Sequence, residues 1–376
     1  MTLHSSRFRL AVRSGIAVLA VAGLITGVSA TPADARTPSV NPYAPSYQHA
    51  YRHGAVPQRE VAAKMAQYRA GHAGVAARAA ANNLHYGGAV DGIGVTTGKP
   101  RVYLVFYGSQ WGSAGTDTNG NTTFSADSVG EAPRLQQLFK GLGTNSELWS
   151  GVMTQYCEGV ASGSQTCPAN SAHVGYPSGG ALAGVWADTG SASPSAATGH
   201  QLGVVALAAA SHFGNTTSAA NRNVQYVILS PHGAKPDGFN TPNGGFCAWH
   251  DWNGDSDLTG GAVSSTVGDI AFTNMPYVTD AGTSCGQRSV NRGTAGALDG
   301  VTIVEGHEYS ETITDQNPAG GWTDSGGEEN ADKCAWLTTS TGKARNVSFA
   351  TGSFAMQTTW GNDSNGCQIS HAVVGG

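Results

Sequence analysis

The chain has 376 residues, of which only 12% are charged and 53 are glycine. Its formal net charge is −5 with histidine counted as neutral. A chain of this balance lacks the basic surface that binds nucleic acid or an anionic membrane, whereas its length is sufficient for a large hydrophobic core.

The first 30 residues have the pattern of a secretory signal peptide. Three arginines within the first thirteen residues precede an apolar run over residues 15–28, and small residues follow it. This arrangement predicts cleavage after Ala30 or Ala35 and a secreted, extracellular protein. A membrane anchor is the alternative, but the apolar run is short for a bilayer span. We therefore expect no membrane association after cleavage.

The cysteine count is even, as is typical of exported proteins with disulfide bonds. Six cysteines allow 15 pairings, and nearest neighbours in the sequence form the simplest of them. That pairing predicts three disulfide bonds: Cys157–Cys167, Cys247–Cys285 and Cys334–Cys367. No two cysteines form a C-x-x-C pair, which argues against a thiolate zinc site.

Residues 31–83 differ in composition from the rest of the chain. They contain no cysteine, and the segment from Val61 to Asn82 has weak helical periodicity. We interpret this region as a propeptide or a flexible N-terminal extension, with a helix packed on the main domain as the alternative. Residues 84–376 then form the main domain.

Strands and helices alternate through the main domain, which predicts an α/β fold. The predicted elements are a strand at 102–107, two helices within 128–156, a helix at 203–213, strands at 224–229 and 270–278, a helix over 295–315, and strands within 347–374. Gly141 and Gly143 divide the helices within 128–156. Pro276 favours an edge position for the strand at 270–278, because proline cannot donate a hydrogen bond to a neighbouring strand.

The stretch Val304–Asp315, V-E-G-H-E-Y-S-E-T-I-T-D, concentrates acid around one histidine in a chain with only nine glutamates. On a helix, His307 and Glu311 lie one turn apart on the same face, and Glu308 points about a quarter-turn away. Zinc peptidases use this geometry in H-E-x-x-H, where both histidines bind the metal and the glutamate is the general base. The motif here is H-E-x-x-E, which predicts His307 and Glu311 as ligands and Glu308 as the base.

Position 311 is where the motif departs from that of the zinc peptidases. A carboxylate ligand adds negative charge and makes a zinc-bound water less acidic, which weakens the case for a fast peptidase. Two glutamates and one histidine also suit Mn or Fe, or calcium together with water, so zinc is the first of several candidate metals. The alternative is a structural cluster in which Asp315 and Asn317 end the helix before Pro318.

A third ligand is expected in the segment Gly326–Asp332, G-G-E-E-N-A-D. Here the chain resembles thermolysin-like gluzincins, in which H-E-x-x-H-A-V-T-D is followed by a ligand glutamate and then by an aspartate. The resemblance implies Glu329 as the third ligand, with Glu328 as its substitute and Asp332 close behind. It also implies that Asp315 orients His307 or binds the backbone.

Four stretches together resemble the secreted EXORDIUM-like (phosphate-induced) proteins of plants and their bacterial relatives. They are Leu84–Val90 (L-H-Y-G-G-A-V), Val102–Trp111 (V-Y-L-V-F-Y-G-S-Q-W), Phe246–His250 (F-C-A-W-H) and Trp322–Trp336 (W-T-D-S-G-G-E-E-N-A-D-K-C-A-W). The resemblance extends over residues 84–370 and implies a secreted, cell-wall-associated protein. It does not imply a particular enzymatic activity.

Two further sites are candidates. His250 follows Cys247 by three residues and is either a pocket residue or a histidine of a disulfide-anchored loop. The stretch Asp251–Asp257, D-W-N-G-D-S-D, alternates oxygen ligands as calcium loops do, but it lacks the glycine and the final glutamate of an EF-hand. A surface calcium site and a solvated polar loop both remain open.

These observations favour a secreted, metal-dependent hydrolase with a zincin-like α/β fold, a mixed sheet and an active-site helix. We expect it to act on peptide or protein substrates as a monomer, without nucleic acid. The alternative is a non-catalytic secreted protein that binds a cell-wall polymer or a protein partner.

Overall fold

The structure is a computed structural model that describes residues 41–44, 54–72, 83–338 and 341–375. The predicted signal peptide and its two candidate cleavage positions lie outside these ranges. No helix within them is both long enough and apolar enough to cross a bilayer.

The described residues contain five α-helices and sixteen β-strands. The helices are α1 Arg59–His72, α2 Glu131–Gly141, α3 Gly199–His212, α4 Ser218–Asn221 and α5 Asp299–Thr314. The strands are β1 Ala55–Pro57, β2 His85–Tyr86, β3 Arg101–Tyr107, β4 Ala114–Thr116, β5 Thr122–Phe124, β6 Cys157–Glu158, β7 Ala172–His173, β8 Leu182–Asp188, β9 Val224–Leu229, β10 Phe246–Trp252, β11 Ala271–Met275, β12 Trp322–Thr323, β13 Arg345–Phe349, β14 Gly352–Met356, β15 Thr359–Gly361 and β16 Gly366–Gln368. Short 3₁₀ helices cover Ser109–Trp111, Ser150–Gln155, Pro236–Gly238, Val278–Cys285, Gly293–Gly296 and Asp332–Cys334.

A six-stranded mixed sheet in the order β1-β10-β11-β9-β3-β8 forms the centre of the fold. The strands β11, β9, β3 and β8 are parallel, whereas β10 and β1 are antiparallel to their neighbours. Strand β9 is buried along its whole length. Its sequence, V-Q-Y-V-I-L, is close to the continuous apolar run that a parallel strand covered on both faces requires. The predicted mixed α/β class is therefore confirmed.

The prediction of an edge strand around Pro276 is wrong. Strand β11 ends at Met275, one residue before the proline, and lies between β10 and β9. Because the proline follows the strand, its missing N–H does not interrupt any ladder of hydrogen bonds. The sheet instead ends at β1 on one side and β8 on the other.

Two of the predicted helices differ in extent from the sequence pattern. Helix α3 begins at Gly199, four residues before the predicted start, because Thr198 and Gln201 form a capping box there. Helix α2 ends at Gly141 as predicted, but the second helix within 128–156 is only the 3₁₀ helix Ser150–Gln155. The prediction that Gly141 ends a helix is therefore confirmed.

Helix α5 carries the H-E-x-x-E motif through the interior of the protein. All 16 of its residues are buried, and it packs against β10, β11 and β14. A helix buried on every side must satisfy its polar side chains inside the protein. Ser310, Thr312 and Thr314 each donate to a backbone carbonyl about one turn earlier. Glu305 and Glu308 of α5, in contrast, have no hydrogen-bond partner among the described residues for either carboxylate oxygen.

The three predicted disulfide bonds are confirmed, with sulfur atoms 2.03, 2.04 and 2.00 Å apart in Cys157–Cys167, Cys247–Cys285 and Cys334–Cys367. Two of them anchor segments that reach α5. Cys247 lies on β10, and Cys334 ends the 3₁₀ helix that begins at Asp332.

Residues 54–72 pack on the main domain. Strand β1 pairs with β10 at the edge of the main sheet, and α1 follows directly. Gln58 donates its backbone N–H to the carbonyl of Gly245, and the indole of Trp336 donates to the carbonyl of Pro57. This part of the region has the packed arrangement that was the alternative to a flexible extension. Removal of residues 31–83 as a propeptide stays a prediction.

Candidate metal centre

Four segments of the chain bring histidines and carboxylates to one buried cluster. Strand β10 supplies His250, and α5 supplies His307, Glu308 and Glu311. The remaining members are Glu329, from the loop after β12, and Asp332, which begins a 3₁₀ helix. All except Asp332 are fully buried, and the side chain of Asp332 is 14% exposed. We call these six residues the acidic cluster.

The helical spacing of the motif places His307 and Glu311 together. The Nε2 atom of His307 lies 3.0 Å from Oε1 of Glu311, one turn later on the same face of α5. On the other side of the ring, Nδ1 of His307 lies 3.2 Å from Oε1 of Gln357. The amide nitrogen of Gln357 donates to two backbone carbonyls, so its oxygen must face the histidine. Nδ1 of His307 therefore carries a proton, and Nε2 faces the carboxylates of the cluster as the atom that could bind a metal.

His250 belongs to the acidic cluster, although spacing within the motif gave no sign of it. Its Nε2 atom lies 2.9 Å from Oε2 of Glu329 and 3.6 Å from Oε2 of Glu311. The residue lies on strand β10 and not in a loop. The one sequence signal that could have identified it is a histidine inside an otherwise buried strand, F-C-A-W-H-D-W, where an ionisable group requires a partner.

Of the two candidates for the third ligand, the structure brings Glu329 into the acidic cluster and leaves Glu328 outside it. Glu328 forms an ion pair with Arg69 of α1 and is 21% exposed. Asp332 is also close, with Oδ1 3.5 Å from Nε2 of His307. Its backbone N–H donates to Oε1 of Glu311 over 2.9 Å, which fixes that carboxylate in place.

Asp315 binds the backbone, which was one of its two expected roles. It accepts hydrogen bonds from the N–H groups of Ala319 and Gly321, at 2.9 and 2.5 Å, and so shapes the turn after α5. The partner of His307 at Nδ1 is instead Gln357. The orienting residue therefore comes from the C-terminal part of the chain, far from the motif in sequence.

The charges of the acidic cluster are poorly balanced by the protein itself. Burial raises the pKa of Glu308 well above its ordinary value, with His307 opposing the shift and Glu311 reinforcing it. Burial likewise raises the pKa of Glu329, and the negative charge of Glu311 adds to the shift. Neither carboxylate oxygen of Glu308 has a hydrogen-bond partner among the described residues. Such a group is costly unless it is neutral or faces a cation.

His307 and Glu311 shift the pKa of each other in opposite directions. Burial by itself lowers the pKa of His307, but the charge of Glu311 and a hydrogen bond with Asp332 raise it well above its ordinary value. Burial alone would raise the pKa of Glu311, but the charge of His307 lowers it below its ordinary value. The carboxylate of Glu311 therefore remains charged and is drawn toward positive charge.

The acidic cluster could hold a metal ion. Ligand atoms of His307, Glu311 and Asp332 lie within 4.8 Å of one another, and so do those of His250, Glu308 and Glu311. Nitrogen and oxygen donors without sulfur suit zinc, manganese or iron. The stretch Asp251–Asp257 is different: among the described residues, its carboxylates form no such group. The side chain of Asn253 is occupied by the backbone of Val263 and Ile270.

Comparison with known proteins provides no further identification. The chain matches no protein-family model, no curated protein and no solved structure. The likeness to EXORDIUM-like proteins and to gluzincins therefore rests on the motifs alone, and function must be argued from the acidic cluster itself.

Proposed function

We propose that this chain is a secreted, metal-dependent hydrolase of the zincin-like type that cleaves peptide bonds, and that it belongs to the EXORDIUM-like proteins. The observation that carries the proposal is the acidic cluster, in which two histidines and four carboxylates from distant segments converge in the interior. A chain with few charges would not collect them there for stability, because buried ionic groups contribute little net stabilisation.

Each residue of the cluster has a role in this proposal. His307 and Glu311 bind the metal, as the motif predicts, Glu329 is the third ligand, and His250 and Asp332 complete the set of donors. Zinc is the first candidate metal, and calcium is a less suitable one because the set includes two nitrogen donors. A bound divalent ion would acidify a water molecule and polarise the scissile carbonyl group.

Glu308 is the general base in this proposal. Its carboxylate lies within 4.8 Å of the ligand atoms of His250 and Glu311, and it forms no hydrogen bond with the protein. A bound cation would favour its ionised form, which could accept a proton from the attacking water and pass it to the leaving amine. Because the surroundings are closed to solvent, the base meets no competing bulk water.

Glu308→Gln tests the proposal directly, and Glu305→Gln is its matched control. Both glutamates are fully buried on α5, and neither has a hydrogen-bond partner for either carboxylate oxygen among the described residues. Glu305 belongs to neither group of possible metal ligands. We expect Glu308→Gln to keep its metal and to lose roughly 10²-fold or more in hydrolysis of a casein-like substrate, whereas Glu305→Gln should keep both metal and activity.

Metal analysis of the purified protein shows whether the acidic cluster binds a metal at all. His307→Ala should hold less metal than the parent and lose activity, because it removes a ligand rather than the base. If the parent chain contains no metal after incubation with zinc or manganese, the hydrolase proposal is wrong. The remaining explanation would then be a secreted protein that binds a cell-wall polymer or a protein partner.

A further inference from the structure

Glu311 lies between the two histidines of the acidic cluster. Its Oε1 atom is 3.0 Å from Nε2 of His307, and its Oε2 atom is 3.6 Å from Nε2 of His250. The two oxygens of one carboxylate therefore face two different imidazole rings.

Each side of Glu311 also has its own additional carboxylate. On one side, Oδ1 of Asp332 lies 3.5 Å from Nε2 of His307. On the other side, Oε2 of Glu329 lies 2.9 Å from Nε2 of His250. Donor atoms bound about 2.1 Å from one ion are about 3 to 3.5 Å apart in octahedral or tetrahedral geometry. The four distances between histidine nitrogens and carboxylate oxygens, 2.9 to 3.6 Å, are close to this spacing, and Glu311 is common to both groups.

We propose that the acidic cluster is a dinuclear centre, in which Glu311 bridges two divalent transition-metal ions such as zinc or manganese. His307 and Asp332 complete the first site, and His250 and Glu329 complete the second. The inference rests on the proposed metal-dependent function. It also gives a reason for the glutamate at position 311, because a carboxylate can bridge two ions about 3.5 to 4 Å apart, whereas a neutral imidazole offers one nitrogen.

The balance of charge supports two ions over one. With one divalent ion, the four carboxylates of Glu308, Glu311, Glu329 and Asp332 keep a net charge of −2 unless two of them stay protonated, whereas two ions would balance all four in their ionised form. The nearby basic side chains do not neutralise the remaining negative charge. Arg69 pairs with Glu328, and Lys333 pairs with Asp324 at 3.0 Å. Uncompensated buried charge is strongly unfavourable.

An independent observation points to missing partners within the cluster. Among the described residues, Oε2 of Glu311, Oε1 of Glu329 and both oxygens of Glu308 are buried and have no hydrogen-bond partner. Glu308 and Glu311 group with His250, and the other carboxylate oxygen of Glu329 contacts His250. A second ion next to His250 would satisfy Glu311 and Glu329, and it would face Glu308.

The test counts ions per chain in the full-length protein after incubation with zinc or manganese and removal of the excess. We expect two ions in the parent and one in each of His250→Ala and His307→Ala. Manganese-loaded parent should show a spin-coupled pair by electron paramagnetic resonance, and His250→Ala should show an uncoupled ion. His232→Ala is the control, because this histidine is exposed and pairs with Asp280 outside the cluster. It should keep two ions.

The possible results separate the two proposals. One ion in the parent overturns the dinuclear centre and leaves the hydrolase proposal intact. One ion in the parent and none in either histidine variant would mean that both histidines bind the same ion, which also overturns the bridge. No ion in the parent overturns both proposals together.

A separate observation concerns the strand that covers β10. The carbonyl of Gly54 accepts a hydrogen bond from the N–H of His250 over 3.0 Å, and β1 continues this pairing toward Phe246. A Cβ atom on Gly54 would lie 2.4 Å from Cδ2 and Nε2 of His250. The backbone of Gly54 therefore lies directly against a donor atom of the second site.

The geometry points to residues 54–72 as a cover over the metal centre, because β1 pairs along β10 next to His250. The ion pair between Arg69 and Glu328 holds α1 over a cavity of about 130 Å³ that Asp332 also lines, so residues 54–72 close the centre from two directions.

Arg69→Ala tests this covering role, and Lys64→Ala is the control on the same helix. Arg69 pairs with Glu328 beside the cavity, whereas Lys64 is exposed, and neither residue belongs to the acidic cluster. We expect EDTA to remove metal several times faster from Arg69→Ala than from the parent, and Lys64→Ala to behave as the parent. Equal rates in the two variants would overturn the covering role without affecting the metal centre.

Discussion

The disulfide bonds should differ in their effect on metal binding more than in their effect on stability. Cys334 ends the 3₁₀ helix that begins at Asp332, so the Cys334–Cys367 bond fixes a segment of the acidic cluster. Cys157–Cys167 closes a loop that contributes no residue to the cluster. In each pair one cysteine is buried and the other is partly buried, so double alanine variants of the two pairs are well matched.

The expected losses of stability follow from the lengths of the two loops. A separation of 33 residues corresponds to about 3.7 kcal/mol of unfolded-state entropy, and a separation of 10 residues to about 2.7 kcal/mol. The two double variants should therefore differ by only about 1 kcal/mol in the free energy of unfolding. Metal affinity should fall roughly 10- to 100-fold in the Cys334–Cys367 variant, the scale seen when support of a ligand is lost, and should be unchanged in the other.

Two measurements separate these effects. Urea unfolding in the presence of EDTA gives the stability of each metal-free chain, and competition with a chelating dye gives its metal affinity. An equal loss of affinity in both variants would show that affinity follows global stability. An unchanged affinity in the Cys334–Cys367 variant would show that the position of Asp332 does not depend on the bond. Either result would refute the reasoning.

Two further predictions concern regions outside the acidic cluster. Burial raises the pKa of Glu131 from 4.5 to about 8, so the folded state keeps a proton that the unfolded state has lost. The free energy of unfolding should therefore fall as the pH rises through this range, by at most roughly 5 kcal/mol. Glu131→Gln should remove most of this fall when urea unfolding is compared at pH 5 and pH 8. N-terminal sequencing of the secreted protein should show a start after Ala30 or Ala35, and a start at Met1 would contradict the signal peptide.

Local periodicity predicted the parts of the site that lie within one helix. The spacing of His307 and Glu311 follows from 3.6 residues per turn, and it holds because α5 is a regular, fully buried helix. The nearest-neighbour disulfide pairing was equally local. The strand predicted at 270–278 included Pro276. The edge position inferred from that proline was wrong, because the strand ends immediately before it.

The remaining ligand environment depends on pairings between distant segments. His250 enters the acidic cluster because β10 lies beside β11 in the sheet and across from α5, which no spacing in the sequence expresses. Gln357 reaches His307 from a position 50 residues later. A single sequence shows that the carboxylates of α5 need polar or charged partners, but only the topology shows which groups surround them.

Removal of the metal should reverse the pH dependence of stability. In the metal-free chain, burial raises the pKa of Glu308 and Glu329, so the folded state binds more protons and its stability should rise as the pH falls from 7 to 5. In the metal-loaded chain, protons compete with the metal for the ligands. Bound metal contributes about 4 kcal/mol to the free energy of unfolding at a thousand times its Kd, so stability should fall as the pH falls from 7 to 5. Urea unfolding with and without EDTA in a Glu131→Gln background, which removes a contribution common to both states, measures the two slopes. Parallel slopes would mean that the acidic cluster holds its charges without a metal.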